Sequence, residues 1–158
     1  FSVGLVGITA FSDLITKSLV RSQIAVGEKI NIISDFFDLT HLHNPGAAFG
    51  LLRDVNPSLR IVFFLSVYAL VSYFVVSRIR ATQSKLEVTA LSLLLGGAVG
   101  NAIDRLSNGF VTDFLDFYIA SHHYPAFNLA DIAICTAVGM LLANEYLDKR
   151  RRVSDEHN

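Results

Sequence analysis

Three clusters in the second half of the chain set polar groups into or beside strongly apolar sequence. They are Gly96-Gly97-Ala98-Val99-Gly100-Asn101-Ala102-Ile103-Asp104-Arg105, Val111-Thr112-Asp113-Phe114 and Phe127-Asn128-Leu129-Ala130-Asp131. Together they carry three aspartates, two asparagines and an arginine. An ionisable side chain at membrane depth costs roughly 2.5–3.5 kcal/mol on insertion scales, so each is a candidate functional group. Asp113 lies in a strand-like stretch, and Asp131 follows Asn128 by three residues at the head of an apolar helix. Two carboxylates converging in a dry place cannot both ionise easily: one keeps a proton and becomes an acid, the other stays a base. Such a pair can activate water and protonate a carbonyl oxygen. Spacing alone leaves convergence open, against a proton relay or a plain hydrogen-bonding role for Asp131.

Other polar residues read as support. Asp13 and Lys17 are four apart and share a helix face, the pattern of an ion pair that orients groups near a site. Gly96 and Gly100 form a small-xxx-small pair that permits close helix approach. Asn101, Asp104 and Arg105 fall at i, i+3 and i+4, and an Asp104–Arg105 network closing that helix end is favoured over direct catalysis. His41, His43, His122 and His123 offer only a weak His-x-His, without His-Glu-x-x-His, and read as surface histidines rather than metal ligands. Cys135 reads as a small buried apolar residue rather than a nucleophile. No serine sits in a Gly-x-Ser-x-Gly setting, and no phosphate-binding glycine loop occurs. No metal, cofactor or nucleic-acid partner is expected, and the basic tail reads as a topology anchor.

The elements that must hold these groups follow from composition. Of 158 residues, 52% are hydrophobic and 17% charged, and the formal net charge is −1. Soluble domains run to about 45–50% and 25%, and the mean hydropathy is +0.47. A membrane protein is indicated. Four segments approach the roughly 20 residues a membrane helix needs: about 2–20, 59–77, 86–103 and 126–147. Phe1 is not an initiator, so a short native start is expected to be missing, and Asp13 and Lys17 argue against reading the first segment as a signal peptide. Arg78, Arg80 and Lys85 link the second and third segments, and Lys149 to Arg152 follow the fourth. The connections at the other end, about 21–58 and 104–125, are poorer in basic residues for their length. The positive-inside rule then puts both termini in the cytoplasm and the two long connections outside.

Within those connections Lys29 to Ile33, Phe36 to His43 and Phe110 to Phe117 alternate like strands, with a turn at Ser34-Asp35. Phe37, Leu39, His41 and His43 are expected on one face. Asn44-Pro45-Gly46 breaks the second strand, and Ala47-Ala48-Phe49-Gly50 follows. The fold class is an all-α membrane protein: four transmembrane helices with a small extracytoplasmic β-sheet on the bundle, in a single domain. The sheet must stay out of lipid, where open edges are not tolerated.

Taken together, Asp13-x-x-x-Lys17, Asn44-Pro45-Gly46-Ala47-Ala48-Phe49 and the three polar clusters resemble the lipoprotein signal peptidases (signal peptidase II) of bacteria. The likeness spans nearly the whole chain, with five motifs in the family's order. The resemblance implies an intramembrane aspartic endopeptidase that cuts diacylglyceryl-modified prolipoproteins just before the lipidated cysteine. It implies Asp113 and Asp131 as the catalytic pair, and Asp13, Lys17, Asn44, Gly46, Asn101, Asp104, Arg105, Asn128 and Ala130 as substrate-binding or supporting residues. It implies a multi-pass monomer in the bacterial inner membrane, in contact with lipid, with its active site near the outer surface. The readings from other classes are a proton-coupled transporter relaying through Asp13, Lys17 and Asp131, and a non-enzymatic assembly protein. Four helices without an inverted repeat make the transporter a poor fit.

Overall fold

The computed structural model describes residues 2–46 and 55–156; the expected Ala47-Ala48-Phe49-Gly50 stretch lies outside them. Four helices run α1 (Ser2–Gln23), α2 (Pro57–Ala81), α3 (Lys85–Asn108) and α4 (Leu129–Glu156). All four are long and apolar enough to cross a membrane. α3 packs against each of the other three and buries the most residues. Glycines let it do so. A Cβ on Gly96 would lie 2.6 Å from Thr9 Cβ, and one on Gly100 would lie 2.6 Å from Asp13 Oδ2, so the small-xxx-small face seats α1. A Cβ on Gly97 would lie 2.6 Å from the Ala130 carbonyl oxygen, which brings the head of α4 onto the same helix. α2 turns outward Leu59, Val62, Phe63, Leu70, Tyr73 and Phe74, the surface a bilayer would cover.

Two connections at one end of the bundle form an antiparallel sheet of order β1-β2-β3-β4: Lys29–Ile33, Phe37–Asn44, Val111–Ile119 and His122–His123. The turn after β1 carries Asp35 at φ 61°, a left-handed position that aspartate tolerates better than most residues. Leu39, Leu115 and Leu129 pack against a buried cluster of Val20, Ile24 and Phe114 where the sheet meets the helix ends. Ile30 pairs beside Leu39 on one face of the sheet and stays exposed beyond the bundle, as do Ile32, Ile33 and Phe36 nearby. The other face is polar. Lys29 and His123 both contact Asp116 at 2.7 and 2.8 Å, and Asn31 donates to Asp38 at 2.8 Å. Burial opposes it, but the Lys29 and His123 contacts hold the Asp116 carboxyl below the usual carboxylate range.

The structure corrects the sequence reading at several points. α3 continues to Asn108, so Asp104 and Arg105 lie inside the helix, which ends at Gly109 with φ 81°. α4 starts three residues later than expected because Phe127 pairs with Leu115 of β3 and holds the chain extended up to Asn128. In β2 the register shifts between Leu39 and Leu42, and the bulge turns both Thr40 and His41 inward. His43, opposite Thr112, therefore leaves the face of Leu39 but stays beside His41, their Nε2 atoms 3.2 Å apart; it is exposed and stacks on Phe110 at 3.6 Å between ring centres. Cys135 is exposed on the outer side of α4, because the buried positions of that helix, Ala130, Ala133 and Ala137, face α3 and α1.

Candidate active site

The strand pairing that delays α4 also builds the site. Phe127 O accepts from Phe114 N at 3.0 Å and from Leu115 N at 2.9 Å, which sets the next residue, Asn128, against Asp113. Asn128 then caps α4. Its Oδ1 accepts from Asp131 N at 3.1 Å while Asp131 Oδ2 accepts from Asn128 N at 3.2 Å, a reciprocal capping box. Its Nδ2 donates to Asp113 Oδ1 at 2.7 Å. One asparagine thus touches both carboxylates, and the structure brings Asp113 and Asp131 together across it.

Two further asparagines complete the arrangement by the same device. Asn44 Oδ1 accepts from Gly46 N at 3.1 Å, so its Nδ2 is free to donate to Asp113 Oδ2 at 2.9 Å. Asn101 Oδ1 accepts from Lys17 Nζ at 2.7 Å, and its Nδ2 donates to Asp131 Oδ1 at 3.0 Å. Lysine has no acceptor and each backbone N–H can only donate, so every amide is forced to present its NH2 to a carboxylate. Asp131 stands in the first turn of α4, where the positive end of the helix dipole favours negative charge. Asp113 is 4% exposed. Burial pushes its carboxyl up to about 6, the neighbouring Asp131 adds to the rise, and the Asn44 and Asn128 amides oppose it. The two carboxyl groups therefore sit in unlike surroundings, as an acid and a base require.

Lys17 and Asp13 are fully buried and paired at 2.7 Å. Asp13 Oδ1 also accepts from Ala130 N at 2.9 Å, pinning the start of α4 to α1. Asp104 and Arg105 are close to the site but do not pair with each other, which corrects the expected network: adjacent helical residues point in different directions. Asp104 accepts from Arg21 Nη1, Asn108 Nδ2 and Thr112 N, each at 2.7 Å, and lies 3.8 Å from Lys17 Nζ. Arg105 turns to Tyr68 Oη and Gly46 O, both at 2.7 Å. Arg21, Thr112 and Tyr68 are the participants that sequence reasoning missed. Arg21 lies one turn beyond Lys17 on the same face, a signal that was available; Tyr68 sits unmarked in the apolar α2.

An Asp104→Asn protein is expected to melt earlier, because a buried charge-assisted hydrogen bond contributes about 1.5–3 kcal/mol. Turnover per folded molecule should change little. Thermal unfolding beside a rate normalised to folded protein checks this, and an inactive variant of normal stability would move Asp104 into the catalytic group.

Four apolar helices, a small antiparallel sheet and a carboxylate pair with one buried member define the class: a multi-pass membrane enzyme. The solved structures agree. One bacterial membrane enzyme, solved by the in meso method at 2.3 Å resolution, superposes with a TM-score of 0.81 at 26% identity, covering 94% of this chain and 88% of that one. Another, solved at 1.9 Å, gives 0.78 at 27% identity and covers 90% of each. The family model for signal peptidase (SPase) II matches residues 5–147. The lipoprotein signal peptidase of Maridesulfovibrio salexigens is 39% identical over 94% of this chain and 97% of its own length. That of Desulforapulum autotrophicum is 44% identical over 82% and 80%. The chain belongs to the signal peptidase II family and is thereby a protease.

Proposed function

We propose that the chain removes signal peptides from diacylglyceryl-modified prolipoproteins, cutting just before the lipidated cysteine, with Asp131 as general base and Asp113 as general acid. The observation that carries this reading is the Asn128 bridge between two carboxylates of unlike surroundings. Asp131 takes a proton from water, whose oxygen attacks the scissile carbonyl carbon as Asp113 gives its proton to the carbonyl oxygen. The resulting gem-diol collapses as Asp131 hands its proton to the departing amine and Asp113 recovers one from the diol. Atoms and charge balance with only two carboxyl groups and water.

The substrate is anchored in the membrane by its acyl chains, so the pair must work at a membrane surface. The exposed Ile30, Ile32, Ile33 and Phe36 of the sheet, beside a polar opposite face, suit a sheet resting at the headgroup level rather than within hydrocarbon. The basic residues at the other end of the bundle support an inner-membrane protein with both termini in the cytoplasm and the site outward. The test is purified protein in detergent with a synthetic lipobox peptide, with and without diacylglycerol on its cysteine. Mass spectrometry should find one cut before the lipidated cysteine. Equal cleavage of the bare peptide would remove lipid recognition from the proposal, and no cleavage of either would remove the activity.

A further inference from the structure

α2 joins the site through a small aromatic group. Tyr68 Oη accepts from Arg105 Nη1 at 2.7 Å, and the Arg105 guanidinium lies 3.9 Å from the centre of the Phe64 ring, one turn earlier on α2. Arg105 is 3% exposed, so water offers little replacement for a lost acceptor. Its Nη2 donates to Gly46 O at 2.7 Å and reaches Asn44 O at 3.5 Å. Gly46 is thus held on both sides, its oxygen by Arg105 and its N–H by Asn44 Oδ1. The remaining arm of Asn44 is the amide that donates to Asp113.

Resting on the reading of Asp113 as a catalytic acid, we propose that Tyr68 is a positioning residue: through Arg105 it fixes the Asn44-Pro45-Gly46 turn and so aims the Asn44 amide at Asp113. Phenylalanine would fill the same space, so the contribution lies in the hydroxyl oxygen alone. Without it, one arm of the guanidinium loses its acceptor, the fork that grips the turn loosens, and Asn44 swings from the carboxyl.

The experiment compares Tyr68→Phe, Asn44→Ala, the double variant, Asp113→Asn, and Tyr73→Phe as a control at an exposed aromatic of the same helix. Steady-state and single-turnover cleavage of the lipidated peptide are followed across pH, with thermal unfolding alongside. Tyr68→Phe should lower kcat about tenfold, the equivalent of one buried hydrogen bond to a charged group, and change KM less. The Asn44 amide favours the ionised form of Asp113, so weakening it raises that pKa. The basic limb of the rate profile should move upward, because the acid then stays protonated to higher pH. The charged groups facing Asp113 from the other elements, Asp131, Lys17 and Arg105, remain in place. In the Asn44→Ala background the Tyr68 substitution should add little, since both act through one amide. Tyr73→Phe should match the wild type.

Unchanged turnover in Tyr68→Phe overturns the proposal, as does a full additional tenfold loss on top of Asn44→Ala. A fall accounted for by lost folded protein, with the basic limb unmoved, does the same. An active Asp113→Asn defeats the reading of Asp113 itself, whatever Tyr68 does. An inactive Asp113→Asn beside a normal Tyr68→Phe defeats only the positioning role.

Discussion

Asp113→Asn and Asp131→Asn proteins should each lose turnover by roughly 10²–10⁴-fold, the usual contribution of a positioned acid or base. An amide keeps the carboxylate's shape but cannot accept and return a proton. Binding of the lipidated substrate should survive, and the double variant should be scarcely worse than either single one, because the two groups act as a unit. The stability readout separates chemistry from collapse. With a folded pKa of about 6 for Asp113, against about 3.9 in an unfolded chain, the folded state binds the proton more tightly. That carboxyl therefore lowers stability as pH rises from about 4 to about 6, and the cost stays at neutral pH. Asp113→Asn carries no such charge, but its NH2 must face one of the two amide donors, Asn44 Nδ2 or Asn128 Nδ2. The two effects largely offset, so it should melt close to the wild type at pH 7–8. Near-normal turnover in either single variant removes that residue from the pair. Early melting of Asp113→Asn at neutral pH would instead assign its carboxylate a structural role.

Lys17→Met should be the most destabilising single change in the interior. The ammonium is fully buried, 2.7 Å from Asp13 Oδ2, 2.7 Å from Asn101 Oδ1 and 3.8 Å from Asp104 Oδ2. Removing one partner of a buried ion pair strands the other and costs about 3–5 kcal/mol. Neutralising the partner as well should recover much of this, and Asp13→Asn can do so while its oxygen still accepts from Ala130 N, 2.9 Å away. Turnover should recover less than stability. Lys17 also fixes which end of the Asn101 amide faces Asp131, and methionine offers that amide no donor. Thermal unfolding and single-turnover rates of the single and double variants read the two effects separately. Full recovery of rate with stability would show that Lys17 only neutralises Asp13, and an unaltered melting point in Lys17→Met would show that the buried pair is dispensable.

Both predictions turn on which contacts could be read from the chain alone. The four membrane helices were legible because a run of about 20 apolar residues has few other uses. So were β1, β2 and β3, from alternation bounded by turn residues, and the Asp13–Lys17 pair, from spacing of one helical turn. The glycines at 96 and 100 announced a close helix contact, and Gly100 meets Asp13 as that spacing allows.

Local rules determined those features because each depends on residues near one another in sequence. The site depended on contacts that no local rule contains. Asn128 became a cap rather than an interior helical residue because Phe127 pairs with Leu115, twelve residues earlier in another element. Asp104 and Arg105, adjacent in sequence, were separated by the helical rotation between them, and took Arg21 and Tyr68 from different helices as partners. The β2 bulge moved His43 off the face of Leu39 for the sake of one residue of register against β3. The orientation of each asparagine was set by a distant donor or a turn, and with it which carboxylate received its NH2. The sequence by itself determined the helices, the strands and the kinds of group available for chemistry. Only the tertiary structure decided which groups meet, because the strength of a buried hydrogen bond depends on a partner's position and not on its place in the chain.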